Sequence, residues 1–292
     1  MQIRSLLIYF LTKNNQPVEM RNKKNKNIAS ASQVIWIIGA SSGIGEALAR
    51  HYSASGAKLI LSARSRDKLY SVKSTCKGNP MNTHVLPLNL ENIADLNQHA
   101  QEALRIFGRI DILIHSAGVT QRALALDTDI TVAQKIMNIN YWGPVALTQA
   151  VLPTMIKQGS GHLVVISSLM GKIGTRFRSS YAASKHALHG YFESLRSEIY
   201  DDNIDISMVC PGFVSTSLGE KALKGNGELY QKKDNIHNDA MSADKFVSKL
   251  APYLHKRKEE IFIAGSEIKV IWASKYLPGK LFRKKMREAK VI

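Results

Sequence analysis

The chain has 292 residues, of which 45% are hydrophobic and 22% are charged, and this composition excludes a disordered, collagen-like or low-complexity protein. The two cysteines form no disulfide framework and no Cys/His cluster has zinc spacing, so we expect a reducing, cytoplasmic setting and no metal site. The net charge is +17, but residues 1–30 hold six Lys or Arg against one acid and residues 266–292 hold eight against two, which places +11 in the two ends. The weakly charged body argues against nucleic acid as a partner.

From Gln33 onward, short apolar runs alternate with helical patterns, which is typical of a parallel sheet with helices on both faces. Strands are predicted at 34–38, 58–62, 84–88, 110–114, 162–166 and 204–209. Helices are predicted at 46–52, at 93–107, at about 131–157 and at 181–200, and a further helix is predicted to begin with residues 67–72. No repeat and no Pro/Gly-rich linker divides this pattern. We therefore predict one Rossmann-like, doubly wound α/β domain over 31–265, between a basic N-terminal extension (1–30) and a basic amphipathic C-terminal tail (266–292).

The N-terminal extension contains an apolar run at 6–11 that resembles the start of a signal peptide. The run is short for such a segment, no A-x-A-like cleavage site follows it, and a basic polar stretch comes next at 21–27. We interpret the extension as lying outside the fold, with Met20 as a second candidate start. A targeting or anchoring segment is the alternative.

Residues 215–239 interrupt the strand–helix alternation with a polar stretch that is rich in Gly, Lys and Asn. An insertion of this length in an α/β domain is typical of a substrate lid or a mobile loop. The alternative is a surface loop without a role in the site.

The first predicted strand is followed directly by a glycine-rich turn, Gly39-Ala40-Ser41-Ser42-Gly43-Ile44-Gly45. A strand that turns tightly into a helix points backbone N–H groups at the positive helix end, where a pyrophosphate binds, and glycines leave room for the phosphate. The spacing differs from the usual G-x-G-x-x-G form. Its position between a strand and a helix indicates a dinucleotide site, and a tight turn without a ligand is the alternative.

The end of the second predicted strand indicates which dinucleotide is bound. An acid there would bind the ribose 2′-hydroxyl of NAD, but the strand ends in Arg64 and no acid follows until Asp67. Arg64 suits a 2′-phosphate, to which Ser41 or Ser42 could add a hydroxyl. We therefore predict NADP(H) in preference to NAD(H), the alternative being that Arg64 is a solvated surface charge.

Tyr181 and Lys185 are four residues apart on a predicted helix, and Ser168 stands thirteen residues upstream at the end of the fifth strand. Carbonyl reduction needs a hydride donor, a proton donor and a group that holds the carbonyl oxygen. A free phenol has a pKa near ~10, and an ammonium about 4 Å away could lower that pKa by up to about three units, before desolvation offsets part of the shift, which makes tyrosine a usable acid and base. Ser168 can hydrogen-bond the substrate oxygen. A buried tyrosine and a surface lysine without chemistry are the alternative.

Together these residues resemble the active site of the single-domain short-chain dehydrogenase/reductases, and the resemblance covers residues 33–264. It implies catalysis by Ser168, Tyr181 and Lys185, and it adds Asn140, which in the family holds a water that relays protons to the lysine. It also places the nicotinamide side of the cofactor against a turn after the sixth strand. The expected cofactor contacts are Gly39, Ser41, Ser42, Gly43, Ile44, Gly45, Arg64, Asn89, Ser116, Ala117, Gly118, Tyr181, Lys185, Pro211, Gly212, Val214 and Thr216.

Three positions depart from the family pattern. Ile38 precedes the glycine turn where many members have Thr, and His115 replaces the first residue of the family's Asn-Asn-Ala-Gly. Asn89 replaces an Asp that contacts the adenine. These changes bear on adenine binding and on hydrogen bonds at the centre of the sheet, not on the catalytic residues. We interpret His115 as structural.

The basic C-terminal tail and the stretches at 121–126 and 181–190 resemble the member-seven group of dehydrogenase/reductases, which is related to 11-beta-hydroxysteroid dehydrogenases and is often membrane-associated. Aromatic and apolar residues interleave with cations in the tail, as they do on a surface that lies on an anionic membrane. Packing of the tail on its own domain or on a partner subunit is the alternative. Relatives commonly pair through helices equivalent to 131–157 and 181–200, which implies a homodimer or homotetramer.

The sequence therefore predicts an oxidoreductase that transfers a hydride between NADP(H) and a carbonyl or secondary alcohol, with Tyr181 as the general acid and base. Likeness to the family suggests a small lipophilic substrate. A sensor or scaffold that binds NADP(H) without turnover is the alternative. Such a protein would have no need for all four of Asn140, Ser168, Tyr181 and Lys185.

Overall fold

The computed structural model describes residues 33–231 and 240–288, so the N-terminal extension and residues 232–239 of the predicted lid lie outside the described residues. The strands are β1 (Val34–Ile38), β2 (Lys58–Ser62), β3 (Thr83–Val85), β4 (Ile112–His115), β5 (Gly161–Ile166), β6 (Ile204–Pro211), β7 (Val214–Ser215), β8 (Met241–Ser242) and β9 (Glu260–Ile263). The α-helices are α1 (Gly43–Ala54), α2 (Arg66–Thr75), α3 (Leu96–Phe107), α4 (Ile130–Met137), α5 (Gly143–Gln158), α6 (Ser179–Glu198), α7 (Ala243–His255), α8 (Ile268–Tyr276) and α9 (Gly279–Glu288).

Seven strands form one parallel sheet in the order β3-β2-β1-β4-β5-β6-β9. Every residue of β1, β4 and β5 is buried, as expected for strands that helices cover on both faces. The chain builds outward from β1 to β3 and then crosses to β4 on the other side of β1. Ligands of such sheets bind at this reversal, in the crevice outside the carboxyl ends of the strands. The predicted doubly wound α/β fold is confirmed.

Alternate side chains of β1 enter hydrophobic cores on opposite faces of the sheet. Trp36 and Ile38 pack in the core that α3, α5 and α6 cover, whereas Ile35 and Ile37 pack in the core under α1, α2 and α7. The Trp36 indole N–H donates to Ser62 Oγ at 2.8 Å, so its polar atom is satisfied inside the core. The two cores fix the strand ends that carry the candidate site.

The structure corrects the bounds of several predicted strands. β3 is Thr83–Val85 rather than 84–88, because Pro87 has no N–H to donate to a strand ladder. β4 is Ile112–His115 rather than 110–114, and β6 continues to Pro211 beyond the predicted end at 209. The helix α7 and the edge strand β9 were not predicted.

The long helix predicted over about 131–157 is divided by a π-helical turn. Helix α4 ends at Met137, the turn covers Asn138–Trp142, and α5 begins at Gly143. π-Turns are rare in proteins overall, but those that occur inside helices are often found at functional sites. This turn contains Asn140, one of the four predicted catalytic residues.

The C-terminal tail forms α8 and α9, and part of it packs on the domain. Ile271 is buried against Leu169 and Cys210, whereas Trp272 and Tyr276 are exposed, with ring centroids 6.1 Å apart and the rings nearly parallel. Within the described ranges, no helix combines the length and the apolar character that crossing a bilayer requires. The domain boundary at 265 and the membrane contact of the tail stay predictions.

Candidate active site

The glycine turn packs on the segment after β4 and leaves the N-terminus of α1 open. Gly39 has φ 88°, and a Cβ there would collide with the backbone of Ala117, so glycine is required. Ser42 precedes α1, and its side chain makes no capping hydrogen bond with any described residue. The first N–H groups of α1 are therefore available to an oxyanion, with Ser41 and Ile44 beside them. The turn fits the pyrophosphate of a dinucleotide.

Arg64 follows β2 at the carboxyl edge of the sheet, and two lysines that the sequence did not predict lie near it. Arg64 Nη1 is 3.5 Å from Glu91 Oε1, and 64% of the arginine side chain is exposed. Partial burial, and then the charges of Lys68 and Arg64, lower the pKa of Lys221. These three cations together form a place where an anionic group would be stabilised. Sequence reasoning missed Lys221 because its segment returns to the edge of β2 only in three dimensions.

The loops after β3 and β4 border the same crevice. The Asn89 side chain accepts a hydrogen bond from the N–H of Glu91 at 3.2 Å, so it shapes its own loop. The Ser116 N–H donates to the carbonyl of Ile38 at 2.9 Å and fixes the 116–118 segment beside β1. Their contacts with the adenine side and the centre of the cofactor stay predictions.

His115 is buried and lies beside α5. Its Nε2 is 2.9 Å from Thr148 Oγ1, and its Nδ1 has no hydrogen-bond partner among the described residues. Burial, and to a smaller extent the charge of Lys185, lower the pKa of His115 to about 3, so the imidazole is neutral at physiological pH. Its contacts agree with the structural role inferred from the sequence.

The turn after β6 faces the glycine turn across the crevice. Pro211 ends β6, and the Gly212 N–H donates to β9 at 2.9 Å. Val214 begins β7. Thr216 Cγ2 would be 2.9 Å from a Cβ placed on Gly43, so the two turns are close neighbours. The structure thus brings the turn that the resemblance assigns to the nicotinamide side next to the turn predicted to bind the pyrophosphate.

Ser168, Tyr181 and Lys185 meet at the carboxyl end of β5. Ser168 Oγ accepts from the Met170 N–H at 3.1 Å, and its hydroxyl lies close enough to Tyr181 to lower the pKa of the phenol. Lys185 Nζ lies 5.8 Å from the centre of the Tyr181 ring and donates to the carbonyl of Ile166 at 2.9 Å. Tyr181 is only 7% exposed and Lys185 only 4%. Three of the predicted catalytic residues therefore form one cluster, in which Tyr181 and Lys185 are buried and Ser168 is partly exposed.

Asn140 joins the π-turn to the segment after β4 and to α6. Its Nδ2 donates to the carbonyl of Val119 and to Ser184 Oγ, both at 2.9 Å, and its Oδ1 accepts from the Val119 N–H at 2.8 Å. A Cβ on Gly118 would lie 3.3 Å from Asn140 Oδ1 and 3.7 Å from Lys185 Nζ. Asn140 is thus close to the catalytic cluster, and its role with a relay water stays a prediction.

Burial dominates the proton affinities of this cluster. Burial raises the pKa of Tyr181, and the Ser168 hydroxyl and the charge of Arg178 partly offset that rise. Burial lowers the pKa of Lys185 to about 8. Contrary to the prediction that Lys185 brings the tyrosine pKa toward neutrality, the pKa of Tyr181 is raised, because burial outweighs the neighbouring groups and the Lys185 ammonium is directed to the carbonyl of Ile166.

Gln121 caps the helix that carries Tyr181, and sequence reasoning did not assign it this position. It is fully buried, and its Oε1 accepts from the N–H groups of Ser180 and Tyr181 at 2.9 and 3.2 Å. Its Nε2 donates to the hydroxyls of Thr128 and Ser179 at 3.1 and 3.2 Å. Because Gln121 and Tyr181 are about 60 residues apart in the sequence, no local spacing pattern predicts this contact.

A family model described as short chain dehydrogenase matches residues 33–227, which include the glycine turn and all four candidate catalytic residues. The chain belongs to the short-chain dehydrogenase family. Members of this family are oxidoreductases that bind NAD(P). The resemblance inferred from the sequence is therefore confirmed at the level of the family.

Similar proteins show which group within the short-chain dehydrogenase family this chain resembles. The chain is similar to the dehydrogenase/reductase SDR family protein 7-like of Drosophila melanogaster (36% identical over 254 residues, 86% of this chain and 78% of the relative). It is also similar to dehydrogenase/reductase SDR family member 7B of Xenopus tropicalis (38% over 241 residues, 80% and 77%). These matches confirm the predicted likeness to the member-seven group.

Solved structures share the fold. A short-chain dehydrogenase from Streptomyces avermitilis matches with a TM-score of 0.73 and 26% identity, covering 88% of this chain and 96% of the other. An alcohol dehydrogenase from Thermococcus sibiricus, solved with 5-hydroxy-NADP, matches with a TM-score of 0.68 and 21% identity, covering 79% and 95%. The likeness to the second structure concerns the fold alone.

Proposed function

We propose that this short-chain dehydrogenase transfers a hydride between NADP(H) and a carbonyl or secondary alcohol, with Tyr181 as the general acid and base. The observation that carries the proposal is the cluster of Ser168, Tyr181 and Lys185, in which the tyrosine and the lysine are buried, at the edge of the sheet that also carries the open glycine turn. The nicotinamide cofactor would supply the hydride for reduction and accept it for oxidation. The glycine turn and the turn after β6 would hold it.

The proton chemistry belongs to the side chains. Because burial raises its pKa, Tyr181 keeps its proton at neutral pH and can donate it to the substrate oxygen during reduction. Ser168 lies close to the tyrosine phenol, so one substrate oxygen can contact both groups. Lys185, whose pKa is about 8, can exchange a proton near neutral pH and resupply the tyrosine.

The preference for NADP(H) over NAD(H) is supported by the three cations Arg64, Lys68 and Lys221. Their mutual repulsion is relieved when a phosphate binds between them. Glu91 opposes this preference in part, since its carboxylate lies 3.5 Å from Arg64. Lys135 lies 3.5 Å from the same carboxylate and neutralises part of the charge of Glu91. The excess of cations favours the 2′-phosphate.

Replacing Lys221 by serine tests the preference. We expect the Kd for NADPH to rise about tenfold and the Kd for NADH to stay within about twofold, because only NADPH carries the extra phosphate. Lys224→Ser is the matched control, since Lys224 is exposed and paired with Glu228 at 2.9 Å. Equal weakening of both cofactors, or equal affinity of the wild-type protein for both, would contradict the preference.

Turnover tests the reaction itself. The purified protein is offered NADPH with a panel of aldehydes and ketones, from small polar compounds to steroids, and cofactor consumption is followed by absorbance. We expect at least one compound to be reduced. Tight NADPH binding without reduction of any compound would favour the sensor or scaffold alternative.

A further inference from the structure

Arg178 lies beside the catalytic cluster and has no carboxylate partner among the described residues. It directly precedes α6 and is half-buried. Its Nη1 donates to the hydroxyl of the buried Thr120. Its charge lies close enough to Tyr181 to act on the phenol. Tyr181 thus has a guanidinium neighbour that has no role in the proton transfers proposed for this site.

The surroundings of Arg178 are unfavourable for a cation. Burial, followed by the like charge of Arg122, lowers the pKa of Arg178 to about 10. The arginine also stands at the N-terminus of the 20-residue helix α6, whose first turn contains no acid. Helix N-termini carry partial positive charge and favour anions. A guanidinium held in this position is stabilised when an oxyanion binds to it.

The residue before Arg178 supports a binding role for this corner. Phe177 has φ 63°, a left-handed conformation that is rare for a bulky side chain. Such strain persists where the surroundings fix it, and it is concentrated at ligand sites. The conformation places the Phe177 ring in the wall of a neighbouring cavity.

That cavity is open and has a volume of about 520 Å³, which suits an organic ligand rather than an ion alone. Leu124, Phe177 and Tyr230 supply much of its apolar wall, and the Arg122 guanidinium lies 5.7 Å from the centre of the Tyr230 ring. Asp127 is an exposed acid that also lines the cavity, and no ion pair joins it to Arg178 among the described residues. The cavity therefore combines an apolar wall with the Arg122 guanidinium, and Arg178 adjoins it through Phe177 and through the charge of Arg122.

We propose that the substrate is a carbonyl or alcohol compound with an apolar body and an oxyanionic group, and that Arg178, assisted by the charge of Arg122, binds this group. The inference rests on the proposed function and names its substrate class. A guanidinium can bind a carboxylate through two parallel hydrogen bonds. In the reduction, the carbonyl carbon receives the hydride from NADPH, the oxygen receives the proton of Tyr181, and the acidic group is unchanged.

The test compares 4-oxo-4-phenylbutanoate with its methyl ester, two ketones that differ in one charge. We expect the wild-type protein to reduce the acid with a kcat/KM at least about tenfold higher than that for the ester. Arg178→Gln should abolish this preference, chiefly by raising KM for the acid, while kcat/KM for the ester changes by less than about twofold. Arg178→Lys should retain part of the preference. Arg105→Gln, which removes an exposed guanidinium on α3, is the control and should leave both values unchanged.

Equal losses for the acid and the ester in Arg178→Gln would mean that Arg178 acts only through Tyr181 or through folding, and would overturn the proposal. Calorimetric binding of the acid to the protein loaded with NADP⁺ separates this result from failure of the proposed function. Binding that depends on Arg178, without reduction of either ketone, would support the anion site and refute the reductase function. If the acid does not bind in preference to the ester, the proposed site is wrong whatever the activity.

Discussion

Replacing Gln121 by leucine removes the acceptor that holds the first turn of α6. Leucine has a similar volume, so the change tests the hydrogen bonds rather than the packing. The N–H groups of Ser180 and Tyr181 now bond to Gln121 Oε1 at 2.9 and 3.2 Å and would lose that partner. An unsatisfied buried polar group costs about 1–3 kcal/mol, so the two together should lower the free energy of unfolding by about 2–6 kcal/mol. Tyr181 stands in that turn and should shift with it.

Denaturant unfolding and steady-state kinetics with any ketone that the protein reduces measure the two effects. We expect kcat of Gln121→Leu to fall about tenfold or more, because small displacements of a reacting group reduce rates strongly, while NADPH binding at the distant glycine turn stays within about twofold. Gln121→Glu keeps the acceptor oxygen and should recover much of kcat. Gln101→Leu, at an exposed position of α3, is the control. A Gln121→Leu protein with unchanged kcat and unfolding free energy would refute the assigned positioning role.

Three further predictions concern pH and the tail. Lys185 has a folded pKa of about 8 against an ordinary 10.5, so its contribution to stability should rise by up to about 3 kcal/mol between pH 8 and 10.5, where only the unfolded chain keeps the proton. Lys185→Met should lose this rise in denaturant unfolding, and an identical pH slope would contradict the burial argument. His115, with a folded pKa of about 3 against 6.5, should destabilise the protein as pH falls below 6.5, so His115→Asn should unfold at lower pH than the wild type. The full chain should sediment with anionic vesicles, whereas a chain that ends at Leu277 should not. The shortened chain keeps the buried Ile271 but loses the basic helix α9. Equal sedimentation of the two chains would exclude a membrane role for α9.

Much of the fold could be predicted because its strands are uniformly apolar and short. β1 and β2 have the predicted bounds, since each is a buried run that ends at a polar turn. The pair α7 and β9 was missed because it follows the long polar segment, although Phe246, Leu250 and Leu254 repeat at helical spacing and are buried. That periodicity was present in the sequence and predicts the helix when the segment is examined alone.

Some contacts in the candidate site join residues that are close in the sequence and could be predicted, whereas others join residues that are far apart in the sequence. Tyr181 and Lys185 are four residues apart on one helix, so their proximity follows from local geometry. Lys221 beside Arg64 depends on the path of a long connection, which no spacing in the sequence shows. The pKa of Tyr181 depends on how completely the folded chain excludes water from it, and the sequence predicted that desolvation would offset only part of the effect of the ammonium, whereas burial dominates.

The most direct test of the account is single-turnover oxidation of bound NADPH by wild-type protein and by Tyr181→Phe, with a ketone that the wild type reduces. Tyr181→Phe removes the proton donor and leaves the glycine turn intact. We expect it to bind NADPH within about twofold of wild type and to transfer the hydride about 10²–10⁴-fold more slowly, the usual contribution of a general acid. Hydride transfer at the wild-type rate would show that Tyr181 is not the proton donor and would contradict the central claim.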